Sequence, residues 1–216
     1  MIDVGLAVTV GMLSDLLQHD EEGAKWLRGS FATCNELLLA NGLPVHSEPE
    51  ISFPEVSRCT IHGYPYSFIH YLRRVYAHVA LDPNWQIKPT GDDEDPAEDP
   101  IVEEVTDQLE SHLLCHSDAE GFYLPVDFVD VLCATDELDV PGGMLCSSFQ
   151  LMRELTTMAP TLGIKLNGNV LEDSEAGRLN ELVEKEAAFW VETCVWLSLF
   201  EAARLSLKYK TAIVFA

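Results

Sequence analysis

The side chains best placed to do chemistry lie close together: His112, His116, Asp118 and Glu120. On a helix, residues four apart share a face, so His112 and His116 could act as a pair of metal ligands. Asp118 or Glu120 could supply a third ligand, and His62, His70 or His78 a fourth. A zinc or iron ion held there would activate water, so a metal-dependent hydrolase on His112, His116 and Asp118 is one alternative function. Two features count against it. No Glu follows His112, so this is not the zincin pattern, and a helix ending before His116 would separate the two rings. Cys115 and His116 cannot pair as nucleophile and base, because neighbouring helical residues point in different directions. The sequence has no G-x-S-x-G, no glycine loop for phosphate and no dinucleotide fingerprint. It therefore points to no catalytic residue and to no cofactor.

A second group is basic. Ser67, His70, Arg74 and His78 recur at spacings of three, four and four, with Arg73 beside them. On a helix, His70, Arg73, Arg74 and His78 would form one patch able to bind a phosphate or carboxylate. The overall charge favours another reading, in which this patch faces the protein's own acidic segment and forms internal ion pairs.

That charge is −23, from 36 acidic and 13 basic residues. It is unevenly placed. No Lys or Arg lies between Lys88 and Arg153, and residues 89–152 hold 17 of the acidic residues. Such a chain is repelled by phosphates, so direct binding to DNA or RNA is not expected. A concentrated acidic surface instead steers a partner with a basic face. The candidate contact residues are Asp92, Asp93, Glu94, Asp95, Glu103, Glu104, Asp107, Asp118 and Glu120, with Phe122 and Tyr123 as aromatic anchors. These carboxylates could imitate the phosphates that a basic toxin is built to bind. The expected function is that of an acidic inhibitor protein that neutralises a basic toxin by occlusion. A non-catalytic, homo-oligomeric interaction module is a further alternative.

The elements that must position these residues read as mainly α (α+β), a helical bundle with a small β element. Residues 1–216 read as a single domain, with an acidic, Pro-rich loop at 83–100 where the chain could divide into two lobes. Helices are expected over 4–18, Glu21–Ala40, from Tyr64 to Asp82, Ile101–Leu114, Ser147–Ala159 and 174–209. Strands are expected near 121–125, 129–134 and 212–215. The apolar run Val4–Leu13 has no preceding cation and carries Asp3, so it reads as a first helix and not as a leader peptide. The run Thr193–Phe200 is too short to cross a bilayer. The six cysteines fall at long, irregular intervals, which suits free thiols in a reducing cytosol. A cytoplasmic protein without membrane contact is expected.

Three blocks, Tyr66–Arg74, Ser117–Phe128 and Ser147–Leu155, are similar to blocks in uncharacterised bacterial proteins of comparable length. In size, acidity and expected compartment the chain resembles bacterial toxin-immunity proteins. That resemblance implies a cytosolic binding protein and assigns no catalytic residue.

Overall fold

The computed structural model describes residues 5–50, 55–61, 63–91 and 94–216. The chain begins with two short strands, β1 (Gly5–Leu6) and β2 (Val8–Val10), and only then enters helix α1 (Met12–His19). The helix expected over 4–18 is therefore half strand. Val8, Thr9 and Val10 are all β-branched, which favours extended backbone. Gly11 then turns the chain at φ 70, a conformation open to glycine without a steric cost. Helix α2 (Glu21–Ala40) has the expected bounds; the Asp20 carboxylate caps it by accepting the Gly23 N–H at 2.9 Å.

Strand β3 (Tyr64–Pro65) pairs with β1, and helix α3 (Phe68–Leu81) follows. A short 3-10 turn (Pro96–Glu98) leads into α4 (Pro100–Thr106) and α5 (His112–Cys115), so the helix expected over 101–114 is interrupted. Next come β4 (Gly121–Leu124), β5 (Leu132–Cys133), β6 (Met144–Ser147) and α6 (Ser148–Met158). The Ser147 hydroxyl caps α6 by accepting the N–H groups of Phe149 and Gln150. The long helix expected at the end of the chain is two helices, α7 (Asp173–Glu184) and α8 (Trp190–Tyr209). Glu186 and Phe189, both at positive φ, break it. Strand β7 (Ile213–Phe215) follows α8.

Five strands form one mixed sheet in the order β2-β7-β4-β6-β5, in which only β4 and β6 run parallel. This corrects the expected architecture. The fold is α+β around a central sheet, and it is not mainly a helical bundle with a small β element. The reason lies in how the sheet is covered. Phe122, Leu124, Leu145 and Val214 face α1 and α2, whereas Tyr123, Cys146, Ile213 and Phe215 face the layer built from α3, α6, α7 and α8. Strands buried on both faces lose the alternation of apolar and polar residues that marks a strand, and read as short apolar runs.

Helix α8 lies in the middle of the helical layer and contacts α3, α6 and α7. Its Trp196 is fully buried, and the indole N–H donates to the Leu155 carbonyl at 2.8 Å. The connection from α2 to β3 is tied down by charge. Glu48 accepts hydrogen bonds from the Thr211 hydroxyl and the Ala212 N–H, and Arg58 pairs with Glu201 of α8. Among the described residues, no helix is long and apolar enough to cross a membrane.

Candidate functional site

The basic patch of α3 faces inward, onto the acidic segment. Arg73 is buried, and its Nε–H donates to the Leu113 carbonyl at 2.9 Å. Its other nitrogens donate to the His116 carbonyl and the Asp118 carboxylate. His70, one turn earlier, also pairs with Asp118, at 3.2 Å. Burial opposes the charge on Asp118, but His70 and Arg73 outweigh it and hold this carboxyl well below the usual range. One turn later, Arg74 and His78 both reach Asp99, each at 2.9 Å. Asp99 also accepts the Ile101 N–H and so caps α4. Burial again opposes the carboxylate charge, and the bonds from His78, Ile101 and Arg74 prevail. His78 stacks on Trp85, and Arg74 lies over the same ring at 5.8 Å. All four groups of the patch are thus engaged with Asp99 or Asp118.

The two histidines proposed as ligands are separated. Helix α5 ends at Cys115, and His116 is already extended, at φ −63 and ψ 143. His112 uses both ring nitrogens: Nδ1 accepts the Ser147 N–H and Nε2 donates to the Val129 carbonyl, each at 2.9 Å. The His116 ring stacks on Tyr123 with centroids 4.2 Å apart, and its Nδ1–H donates to the Ser117 carbonyl at 2.8 Å. Its Nε2 is buried beside Gly121 and has no hydrogen-bond partner among the described residues. Burial pushes the His116 imidazole down to about 3, which keeps it neutral. Asp118 serves Arg73 and His70, and His62 lies outside the described residues. Among the described residues, no three His, Cys, Asp or Glu side chains gather as a metal site.

Sequence reasoning missed Glu154. From α6 it accepts the N–H groups of His112 and Leu113, both at 2.8 Å, and so holds the start of α5. Burial raises its carboxyl to about 7 against those two bonds. A lone glutamate on an amphipathic helix carries no sign that it points inward, so only the packing of α5 onto α6 reveals it.

The rest of the acidic segment faces solvent. Glu94, Asp95, Glu103, Glu104 and Asp107 are exposed, and so are Glu98, Glu110 and Glu120. None of these eight carboxylates has a cation at ion-pair distance among the described residues. The seven arginines, by contrast, are all paired. Arg73, Arg74 and Arg153 pair within the acidic segment, with Asp118, Asp99 and Asp127, and the other four arginines pair outside it, so the eight carboxylates are left without an arginine among the described residues. Glu103 on α4 and Asp107 at its C-terminal cap are about 6 Å apart along the helix axis. The acidic face continues past α4: Glu110 and Asp130 line the same groove, beside the end of α3. Asp92 and Asp93 lie outside the described residues. Phe122 and Tyr123 cannot anchor a partner. They are 1% and 0% exposed, on opposite faces of a strand covered on both sides.

A second groove, of about 820 Å³, runs between α2 and the turn at Asp139–Gly143. Glu22, Trp26, Glu120 and Asp139 line it, drawn from three distant parts of the sequence. Glu120 and Asp139 lie in the acidic stretch that the sequence marks out, whereas Glu22 and Trp26 join them only through the fold.

Residues 4–215 match the family model described as "Putative DNA-mimic protein". The chain belongs to that family. No curated protein and no solved structure matches it. Membership of a DNA-mimic family agrees with the coarser expectation of an acidic binding protein. It overturns the expected partner. The family description points to proteins that bind DNA, in place of a basic toxin and of a set of partners without nucleic acid.

Proposed function

We propose that this protein binds a DNA-binding protein at the surface that normally holds the phosphate backbone, and thereby keeps DNA off it. The observation that carries this reading is the set of exposed, unpaired carboxylates from Glu94 to Glu110, beside a helix whose own cations are already paired. Phosphate contacts supply most of the non-specific affinity of a DNA-binding protein, so a surface of fixed carboxylates competes for the same Lys and Arg side chains. The ion pairs of Asp99 and Asp118 with α3 give the mimic a rigid mount. A mimic that must be ordered on binding would lose affinity to the entropy of ordering, and one already held in place avoids that loss. Attraction between opposite charges speeds the encounter and weakens as salt rises above the range where the screening length is about 8 Å.

The test is capture from a lysate of the source cells on immobilised protein, followed by elution with duplex DNA. Retained DNA-binding proteins should come off with micromolar duplex DNA and with raised salt. They should be held poorly by the triple variant Glu103→Gln, Glu104→Gln, Asp107→Asn. A retained set that duplex DNA does not displace would refute the mimicry.

A further inference from the structure

The groove between α2 and the Asp139–Gly143 turn sets a half-exposed indole, that of Trp26, beside acidic side chains. Trp26 is 53% exposed, yet its ring is not loose: it lies against Phe122 of the sheet, with centroids 6.4 Å apart. Glu22, Glu120 and Asp139 stand around the groove, and Lys25 is its one cationic lining residue, so it is net negative. Its floor is open. A Cβ placed on Gly29 of α2 or on Gly143 of the turn would meet nothing within 4 Å. Elsewhere the protein already uses an indole to hold a guanidinium, since Trp85 carries Arg74 over its ring. Trp26 carries no cation among the described residues.

A planar guanidinium stacks on an aromatic face and can donate to carboxylates in its own plane at the same time; the ammonium of lysine, a compact and strongly hydrated charge, does this less well. We propose that this groove seats an arginine of the DNA-binding partner, its guanidinium on the Trp26 indole and its N–H groups directed to Glu22, Glu120 and Asp139. The proposal rests on the mimicry reading and deepens it. The Glu94–Glu110 face attracts a basic surface in general, whereas the groove selects arginine over lysine.

The experiment uses the full chain with nitrogen-15 in its tryptophans, titrated with nona-arginine and, separately, nona-lysine. The protein has four tryptophans, and Trp26→Phe assigns the relevant indole N–H resonance. Peptide affinity is followed in parallel by polarisation of a labelled peptide. The Trp26 resonance should shift with nona-arginine and much less with nona-lysine, while the buried Trp196 resonance stays in place. The double variant Glu120→Gln, Asp139→Asn alters two exposed residues, so it should fold normally and bind nona-arginine about tenfold more weakly. Nona-arginine binding with a static Trp26 resonance and unchanged affinity in the double variant would overturn the groove assignment and leave the mimicry standing. No peptide binding at low salt would overturn both.

Discussion

Replacing His116 with Phe gives a measurement in which the sign and size of the effect can both be worked out beforehand. In the folded protein His116 is buried against Tyr123 and Phe215, and its imidazole is lowered from the ordinary 6.5 to about 3. Below pH 6.5 the unfolded chain therefore takes up a proton that the folded chain refuses. The contribution of this residue to stability is complete above pH 6.5 and is lost as pH falls toward 3. At pH 5 the loss is about 2 kcal/mol, since each unit corresponds to about 1.4 kcal/mol. Glu154 works in the opposite sense. Its carboxyl is raised from the ordinary 4.5 to about 7, so the folded protein takes up a proton first. Stability gains about 2–3 kcal/mol from this residue between pH 8 and pH 5. The two effects oppose each other in the native protein. Phe at 116 keeps the ring contacts with Tyr123 and Phe215, gives up the hydrogen bond to Ser117, and removes one of the two opposing titrations. The surface carboxylates are the same in both proteins and drop out of the comparison. Urea unfolding of both, followed by circular dichroism at pH 8 and pH 5, should show the variant gaining about 2 kcal/mol on the native protein as the pH is lowered. A difference between the two proteins that is the same at both pH values would refute the argument.

Other outcomes follow from the same geometry. Arg73→Ala strands the carbonyls of Leu113 and His116 and leaves Asp118 with His70 alone, so it should cost about 3–5 kcal/mol in chemical denaturation. Phe122→Ala should cost about 3–5 kcal/mol of stability by opening a cavity under α2, and differential scanning calorimetry should show this as a lower Tm even without a partner. The triple variant Glu103→Gln, Glu104→Gln, Asp107→Asn changes only exposed groups without an ion pair among the described residues, so its Tm should match or exceed the native value while its binding to nona-arginine weakens and becomes less steeply salt-dependent. Glu201→Gln removes the buried charge that Arg58 and Arg204 share, and should lower stability by about 2–3 kcal/mol in urea titration.

Much of the local structure could be read directly from the chain. The helix over Glu21–Ala40 has its Asn-Gly stop, and Ser147 marks the start of α6, because caps and stops act over three or four residues. The uneven charge was equally plain, because net charge along a segment does not depend on the fold. It was enough to suggest an acidic binding surface, and too little to tell one basic partner from another. The central sheet was not legible. Strands of two to four residues covered on both faces look like fragments of buried helix, so Val8–Val10 reads as part of a helix, and nothing in the sequence shows that Phe122 and Tyr123 are covered on both sides.

The division between used and unused charge belonged to the tertiary structure alone. Asp99, Asp118 and Glu103 are alike in the sequence, yet the first two reach the cations of α3 and Glu103 does not. Glu154 turned inward for a comparable reason, to meet backbone N–H groups 41 and 42 positions away. The groove around Trp26 likewise needs residues 22, 120 and 139 brought together. Composition sets how much charge a chain carries. Which of those charges remain free for a partner depends on distances of a few ångströms between residues far apart in sequence, and those distances exist only once the chain has folded.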